Sequence, residues 1–114
     1  MTTIYHNPRC SKSRQCLAIL EEQKEEVTNI KYLDTPLIKE QLTEIIQLLN
    51  IQPKELIRTN ETIWKEKFKG KDMTDDELIK AMCEHPKLIE RPIVIKNNKA
   101  IIGRPPEKVT EILK

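Results

Sequence analysis

Apolar residues recur along this chain with two periods. Thr2-Thr3-Ile4-Tyr5-His6 alternates weakly and runs into Asn7-Pro8, which reads as a strand followed by a loop. From Ser11 to about Lys24, Cys16, Leu17, Ile19 and Leu20 form a stripe with Glu21-Glu22 on the wet side, which predicts a helix. Val27, Ile30, Tyr32 and Leu33 predict a second strand over Val27–Leu33, ended by Asp34-Thr35-Pro36. Leu42, Ile45, Ile46 and Leu49 stand at helical spacing within Ile38–Leu49. Pro53 can open a short helical turn over Lys54–Ile57, and Thr59–Lys71 is ambiguous, helical in part. Thr74-Asp75-Asp76-Glu77 is a capping box that starts a helix running to about Glu84, where His85-Pro86 stops it. Pro92–Lys96 and Lys99–Ile102 flank Asn97-Asn98, a two-residue hairpin turn. Pro105-Pro106 then opens a last helix, Glu107–Leu113.

The predicted order is β-α-β, a helical block, then β-β-α. Strands joined through a helix run parallel, and strands joined by a two-residue turn run antiparallel. The expected class is therefore α/β: a thioredoxin-like four-stranded mixed sheet with a helical insertion over about residues 37–88. At 114 residues, a single domain is expected.

Composition narrows the function classes. Charged residues make up 33% of the chain but the net charge is only +2, so the surface is well solvated without the basic field of a general nucleic-acid binder. No apolar run approaches the roughly 20 residues of a membrane span. Met1-Thr2-Thr3-Ile4 lacks the basic and apolar stretches of a signal peptide. Three cysteines, an odd count without disulfide-framework spacing, fit a reducing compartment. The expectation is a cytoplasmic monomer that binds neither nucleic acid nor membrane. Two histidines and scattered cysteines give no zinc spacing, so no metal is expected.

Candidate chemistry centres on Cys10. A free cysteine is commonly a small buried hydrophobe, but here Arg9, Ser11, Lys12, Ser13 and Arg14 surround it. A cysteine between a strand and a helix can sit at the helix N-terminus, where peptide dipoles and free N–H groups favour a thiolate. Ser13 stands where a dithiol motif needs its second cysteine, so any resolving thiol comes from elsewhere. A Cys-x5-Arg phosphatase loop fails, because that arginine's position holds Cys16 and Arg14 falls two residues short. Cys16 lies roughly 9 Å along a helix from Cys10, beyond the ~7 Å that a disulfide spans between Cα atoms. It shares the apolar stripe, which makes it a core residue; Cys83, beside Ala81 and Met82, reads likewise. His6 could stabilise the thiolate or simply end the strand, and His85 reads as a helix stop.

Arg58, Arg91 and Arg104 each stand at the edge of an element, each followed by a backbone-fixing cue: Thr59-Asn60, Pro92 and Pro105-Pro106. Converging guanidinium groups would bind a tetrahedral oxyanion through forked hydrogen bonds. Lone arginines are ordinarily solvated, and Arg9 and Arg14 are rivals for the anion. The Glu21–Glu26 and Lys65–Lys71 runs read as wet faces, and Trp64 as packing.

Several of these segments occur together in one known family. His6-Asn7-Pro8-Arg9-Cys10-Ser11-Lys12-Ser13-Arg14, Tyr32-Leu33-Asp34-Thr35-Pro36, Leu56-Ile57-Arg58, Thr74-Asp75-Asp76-Glu77-Leu78, His85 through Val94, and Gly103 through Val109 resemble, in the same order, the ArsC arsenate reductase family, most strongly its YfgD-like branch. The resemblance implies arsenate reduction with glutathione as co-substrate and glutaredoxin as partner, and no bound cofactor. It implies Cys10 as nucleophile, Arg58, Arg91 and Arg104 binding arsenate or a similar small oxyanion, and His6, Ser13, Arg14 and Pro92 in support, with a cis peptide before Pro92. One departure stands out: family members carry Cys-Gly-Thr-Ser-Arg where this chain has Cys10-Ser11-Lys12-Ser13-Arg14. The other readings are an Spx-like protein-binding regulator, whose Cys-x-x-Cys switch Ser13 lacks, and a general monothiol oxidoreductase without arsenate activity.

Overall fold

Strand β1, Thr2–Tyr5, lies at the centre of the sheet. In the computed structural model, which describes residues 2–113, β1 pairs in parallel with β2, Val27–Ile30, and antiparallel with β3, Ile93–Lys96. β3 pairs antiparallel with β4, Lys99–Ile102, giving a four-stranded mixed sheet in the order β2-β1-β3-β4. The β3–β4 turn is made by Asn97 and Asn98, both with positive φ (52° and 61°). Asparagine tolerates that region, and a two-residue turn of this hand follows the twist of the strands.

Two compact units divide the chain. One is built from its two ends, up to Thr35 and from Arg91 onward. Here helix α1, Ser11–Glu22, buries Cys16 and Leu20 against Ile4, Val94, Val109 and Ile112. The C-terminal segment closing this core is a 3-10 helix, Pro106–Glu111, where an α-helix was expected. Pro105 and Pro106 have no N–H, and the segment tightens through i→i+3 bonds such as Lys108 N to Pro105 O, 3.0 Å. The second strand is also shorter than its apolar pattern suggests. Tyr5–Ile30 is the last β1–β2 pair, and beyond it Asp34 and Thr35 both donate to Lys31 O, at 3.0 Å each, in a turn. Tyr32 is buried from that turn rather than from a strand.

The other unit, Pro36–Glu90, is helical. It contains α2 (Lys39–Leu49), α3 (Pro53–Leu56), α4 (Thr62–Lys67), α5 (Asp75–Glu84) and a 3-10 turn, Pro86–Leu88. Asn50, in the left-handed conformation, ends α2. The capping box forms at the start of α5: Glu77 N–H donates to Thr74 Oγ1 (3.2 Å) and Thr74 N–H to Glu77 Oε1 (3.0 Å). Helix α5 buries Leu78, Ile79, Ala81 and Met82 and packs against α2, α3 and the 3-10 turn. An antiparallel bridge between Ile57 and Ile89 ties the end of α3 to the end of the unit.

Candidate active site

The sheet delivers Cys10 through a short loop. His6 N–H still donates to Ile30 O (2.8 Å), extending the parallel pairing one residue beyond β1. Asn7 then shapes the turn: its Oδ1 accepts Arg9 N–H (3.0 Å) and its carbonyl accepts Cys10 N–H (3.0 Å). Cys10 occupies the N-cap of α1 with extended backbone, φ −98° and ψ 121°. Its sulfur lies where the first-turn N–H groups lack helical partners. The residue is 9% exposed, so it opens on solvent only narrowly.

Burial pushes the Cys10 thiol up, and it is opposed by the Ser13 N–H, by the hydrogen bond and charge of Arg91, and by the Lys12 N–H, which together hold the thiol below its ordinary value. Arg104 Nη2 donates to Cys10 Sγ at 3.3 Å, and a full positive charge at that distance acts in the same direction. Arg104 Nε meanwhile donates to Arg91 O at 2.7 Å, so one guanidinium is fastened to the residue carrying the other. The peptides before Pro92 and before Pro105 are both cis. Gly103 N–H donates to Pro92 O (2.9 Å). A Cβ on Gly103 would fall 2.9 Å from Cys16 Sγ and 3.0 Å from Pro92 Cγ, so the chain here requires glycine.

Ser13 is fully buried one turn into α1 and joins the helix to the end of β1. Its Oγ accepts Asn7 N–H (3.0 Å) and lies 2.6 Å from His6 Nδ1. With Asn7 donating, the hydroxyl hydrogen suits an unprotonated Nδ1, the arrangement of a neutral imidazole protonated on Nε2. Burial, followed by the charges of Lys31 and Arg14, holds His6 below its usual pKa and keeps it neutral near neutral pH. Arg14 Nη1 donates to Pro8 O at 2.9 Å and so braces the loop.

Cys10, Arg91 and Arg104 therefore meet in one unit, with His6, Ser13, Arg14 and Pro92 around them. Arg58 belongs to the helical unit. There its Nε contacts Glu61 Oε2 (3.2 Å) and its Nη1 contacts Glu90 Oε1 (2.7 Å). Burial works against its charge, but Glu90 and then Glu61 more than compensate and raise its pKa. Cys16 is fully buried and burial pushes its thiol up to about 12, so it stays protonated. Burial, then Glu40 and Glu84, also raise Cys83. Among the described residues no group of three or more His, Cys, Asp or Glu could hold a metal ion, and no helix is long and apolar enough to cross a membrane.

Four residues of this arrangement escape the sequence reading. Asn7 registers only as a loop signal, although an asparagine two residues before a free N–H is an Asx-turn pattern. Glu61 stands three residues after Arg58, a spacing that is itself a local cue, whereas Glu90 carries none, since its partner is set by tertiary contact. Gly103 is one of two glycines, and its place directly before Arg104-Pro105-Pro106 is the available hint.

Comparison with known proteins places this geometry. The ArsC family model matches residues 5–112. YfgD of Escherichia coli is 46% identical over 112 residues, covering 96% of this chain and 94% of that protein. The arsenate reductase of Haemophilus influenzae is 45% identical, covering 96% and 97%. The solved structure of an arsenate reductase from Vibrio cholerae superposes with a TM-score of 0.94 at 49% identity, covering 97% of this chain and 96% of that one. With its thioredoxin-like sheet, its helix-capping cysteine and these matches across nearly its whole length, the chain belongs to the ArsC family.

Proposed function

We propose that this protein reduces arsenate to arsenite through the Cys10 thiolate. The observation that carries the proposal is the convergence of Arg91 and Arg104 on a cysteine sulfur held below its ordinary pKa. A thiolate is the nucleophile, and guanidinium donors suit a tetrahedral oxyanion. A disulfide substrate has no need of such a clamp.

In the proposed cycle, Cys10 Sγ attacks arsenic, an S–As bond forms, and an arsenate oxygen departs as water after protonation. A glutathione thiolate then attacks Cys10 Sγ. The S–S bond forms as the S–As electron pair passes to arsenic, which falls from As(V) to As(III) and leaves as arsenite. Glutaredoxin takes the glutathione from Cys10 by thiol–disulfide exchange. Both electrons come from thiols, so the cycle needs no metal or organic cofactor. Arg58 is proposed as a third oxyanion ligand on the resemblance of Leu56-Ile57-Arg58 to the family pattern. The dependence on cellular thiols assigns the protein to the cytoplasm.

The test is arsenite formation with glutathione, glutaredoxin and NADPH-driven recycling. Cys10→Ser should abolish turnover, and Arg58→Lys should lower kcat/KM for arsenate by about tenfold or more. Absence of arsenite formation by the intact chain, with Cys10 still reactive toward alkylating agents, would replace this reading with that of a monothiol oxidoreductase or a binding protein.

A further inference from the structure

Exposed positive charge flanks the loop that presents Cys10. Arg9, Lys12, Arg14 and Lys31 are all exposed, and among the described residues none has a carboxylate oxygen within ion-pair distance. Arg9 and Lys12 stand within two residues of Cys10. Arg14 is braced on Pro8 O at 2.9 Å, which fixes it beside the loop. Lys31 follows Ile30, whose carbonyl holds His6 N–H, and both Lys31 and Arg14 lie close enough to His6 for their charges to disfavour its protonation. No aspartate or glutamate occurs before Glu21, so nothing in the loop or the first turns of α1 offsets this charge.

We infer that Arg9, Lys12, Arg14 and Lys31 form a collar that recruits the carboxylates of a small anionic thiol to Cys10. The inference rests on the proposed function in one respect: an external thiol must resolve the Cys10 adduct. Within the unit that holds Cys10 no other thiol is available, because Cys16 is sealed in the core and its thiol is pushed up to about 12. Charge balance points to the thiol rather than to the oxyanion as the collar's ligand. Arg91 and Arg104 lie at the sulfur and are offset by a bound oxyanion. A second anion arriving at that stage meets no attraction unless further cations stand outside the clamp. A cysteine buried to this degree favours a small thiol over the surface of a protein.

The test contains no arsenate. In a Cys83→Ser background, Cys10 is converted to its mixed disulfide with Ellman's reagent, and release of thionitrobenzoate is followed on adding thiol. The incoming thiolate forms an S–S bond to Cys10 as thionitrobenzoate leaves with the electron pair. Rates for glutathione, neutral mercaptoethanol and cationic cysteamine are each divided by the rate with the free cysteine–thionitrobenzoate disulfide. At low salt the normalised rate for glutathione should exceed that for mercaptoethanol by about fivefold or more, with cysteamine slower still. The preference should fade toward 1 M salt, where the screening length is about 3 Å. It should collapse in the triple variant Arg9→Gln, Lys12→Gln, Lys31→Gln. A normalised ratio near one in the unmodified protein, or one indifferent to salt and to the triple substitution, overturns the collar. Because arsenate is absent, a chain that shows the preference but makes no arsenite overturns the proposed function alone.

Discussion

Arg104→Lys separates a two-point contact from a mere positive charge. The guanidinium reaches the Arg91 carbonyl through Nε at 2.7 Å and Cys10 Sγ through Nη2 at 3.3 Å. A lysine ammonium is a point donor on a flexible stem and reaches one of these at a time. The substitution therefore removes one hydrogen bond with a charged donor, worth roughly 1.5–3 kcal/mol. If that loss is felt in the transition state, kcat/KM for arsenate should fall by about tenfold to about 150-fold. The positive charge remains, so the pH dependence of Cys10 alkylation should move less than in Arg104→Gln. Arg104 is partly exposed, so stability should change by less than about 1 kcal/mol, a melting shift of a few degrees at most.

The assay is arsenite formation at saturating thiol over a range of arsenate concentrations, with thermal melting and alkylation rates on the same preparations. An unchanged kcat/KM would show that the two-point geometry has no part in binding the oxyanion. A fall in kcat/KM matched by a large fall in melting temperature would assign Arg104 to the fold, as the fastener of the segment around Arg91, and remove it from the site.

Other expectations follow from the same geometry. Alkylation of Cys10 should rise with pH through an inflection below the ordinary thiol value of about 8.5; the folded pKa being the lower, thiolate stabilisation of the fold is fully present above the unfolded value and is lost as pH falls through the folded one. Cys16→Ser should retain most activity but lose about 1–3 kcal/mol in denaturant titration, because it places a hydroxyl in an apolar core. Gly103→Ala should destabilise by about 1–3 kcal/mol through its contacts with Cys16 and Pro92 and also lower kcat/KM by displacing Arg104. Ser13→Ala should leave Asn7 N–H and His6 Nδ1 without their shared partner, destabilising by about 1–3 kcal/mol and raising the alkylation inflection as the loop loosens; an inflection that stays put would restrict Ser13 to stability.

The sheet was legible because each of its strands announces itself locally. Asn97-Asn98 fixes the hairpin, Asn7-Pro8 ends β1, and the stripe in α1 forces the parallel β1–β2 crossover. Two ends were misjudged because their limits are tertiary. Leu33 continues an apolar pattern, but the chain leaves the sheet after His6, whose N–H makes its bond to Ile30 O, so β2 stops at Ile30. Val109 and Ile112 have helical spacing, yet the two prolines at the entrance leave a 3-10 turn geometry. The place of Cys10 at the start of α1 was legible from the strand before it and the stripe after it, whereas its polar neighbours in sequence gave no sign that the fold buries it. From its residue pattern Ser13 was legible as a missing thiol and from the family resemblance as a supporting residue, but neither showed the buried link it makes between His6, Asn7 and α1. Of the two carboxylates on Arg58, Glu61 stands only three residues on, but Glu90 could not be read at all, since it lies 32 residues away and nothing in its local sequence selects that arginine.

The three cysteines show how one chain divides reactivity by position rather than by residue type. Cys10 and Cys16 share a helix, yet the first caps it and the second lies nearly two turns deeper. At the cap, N–H groups without helical partners and two guanidiniums favour the thiolate; in the core, nothing but apolar side chains and the close backbone of Gly103 surrounds the sulfur. Gly103 connects the two environments. The absence of its side chain lets Cys16 seat fully in the core, and the next residue sends its guanidinium to Cys10. A change that loosened this packing to expose Cys16 as a second thiol would therefore also shift Arg104 from the first. The packing that seats Cys16 in the core is thus the same packing that aims Arg104 at Cys10, so the two thiols cannot both be brought to the surface without disturbing the guanidinium beside the first.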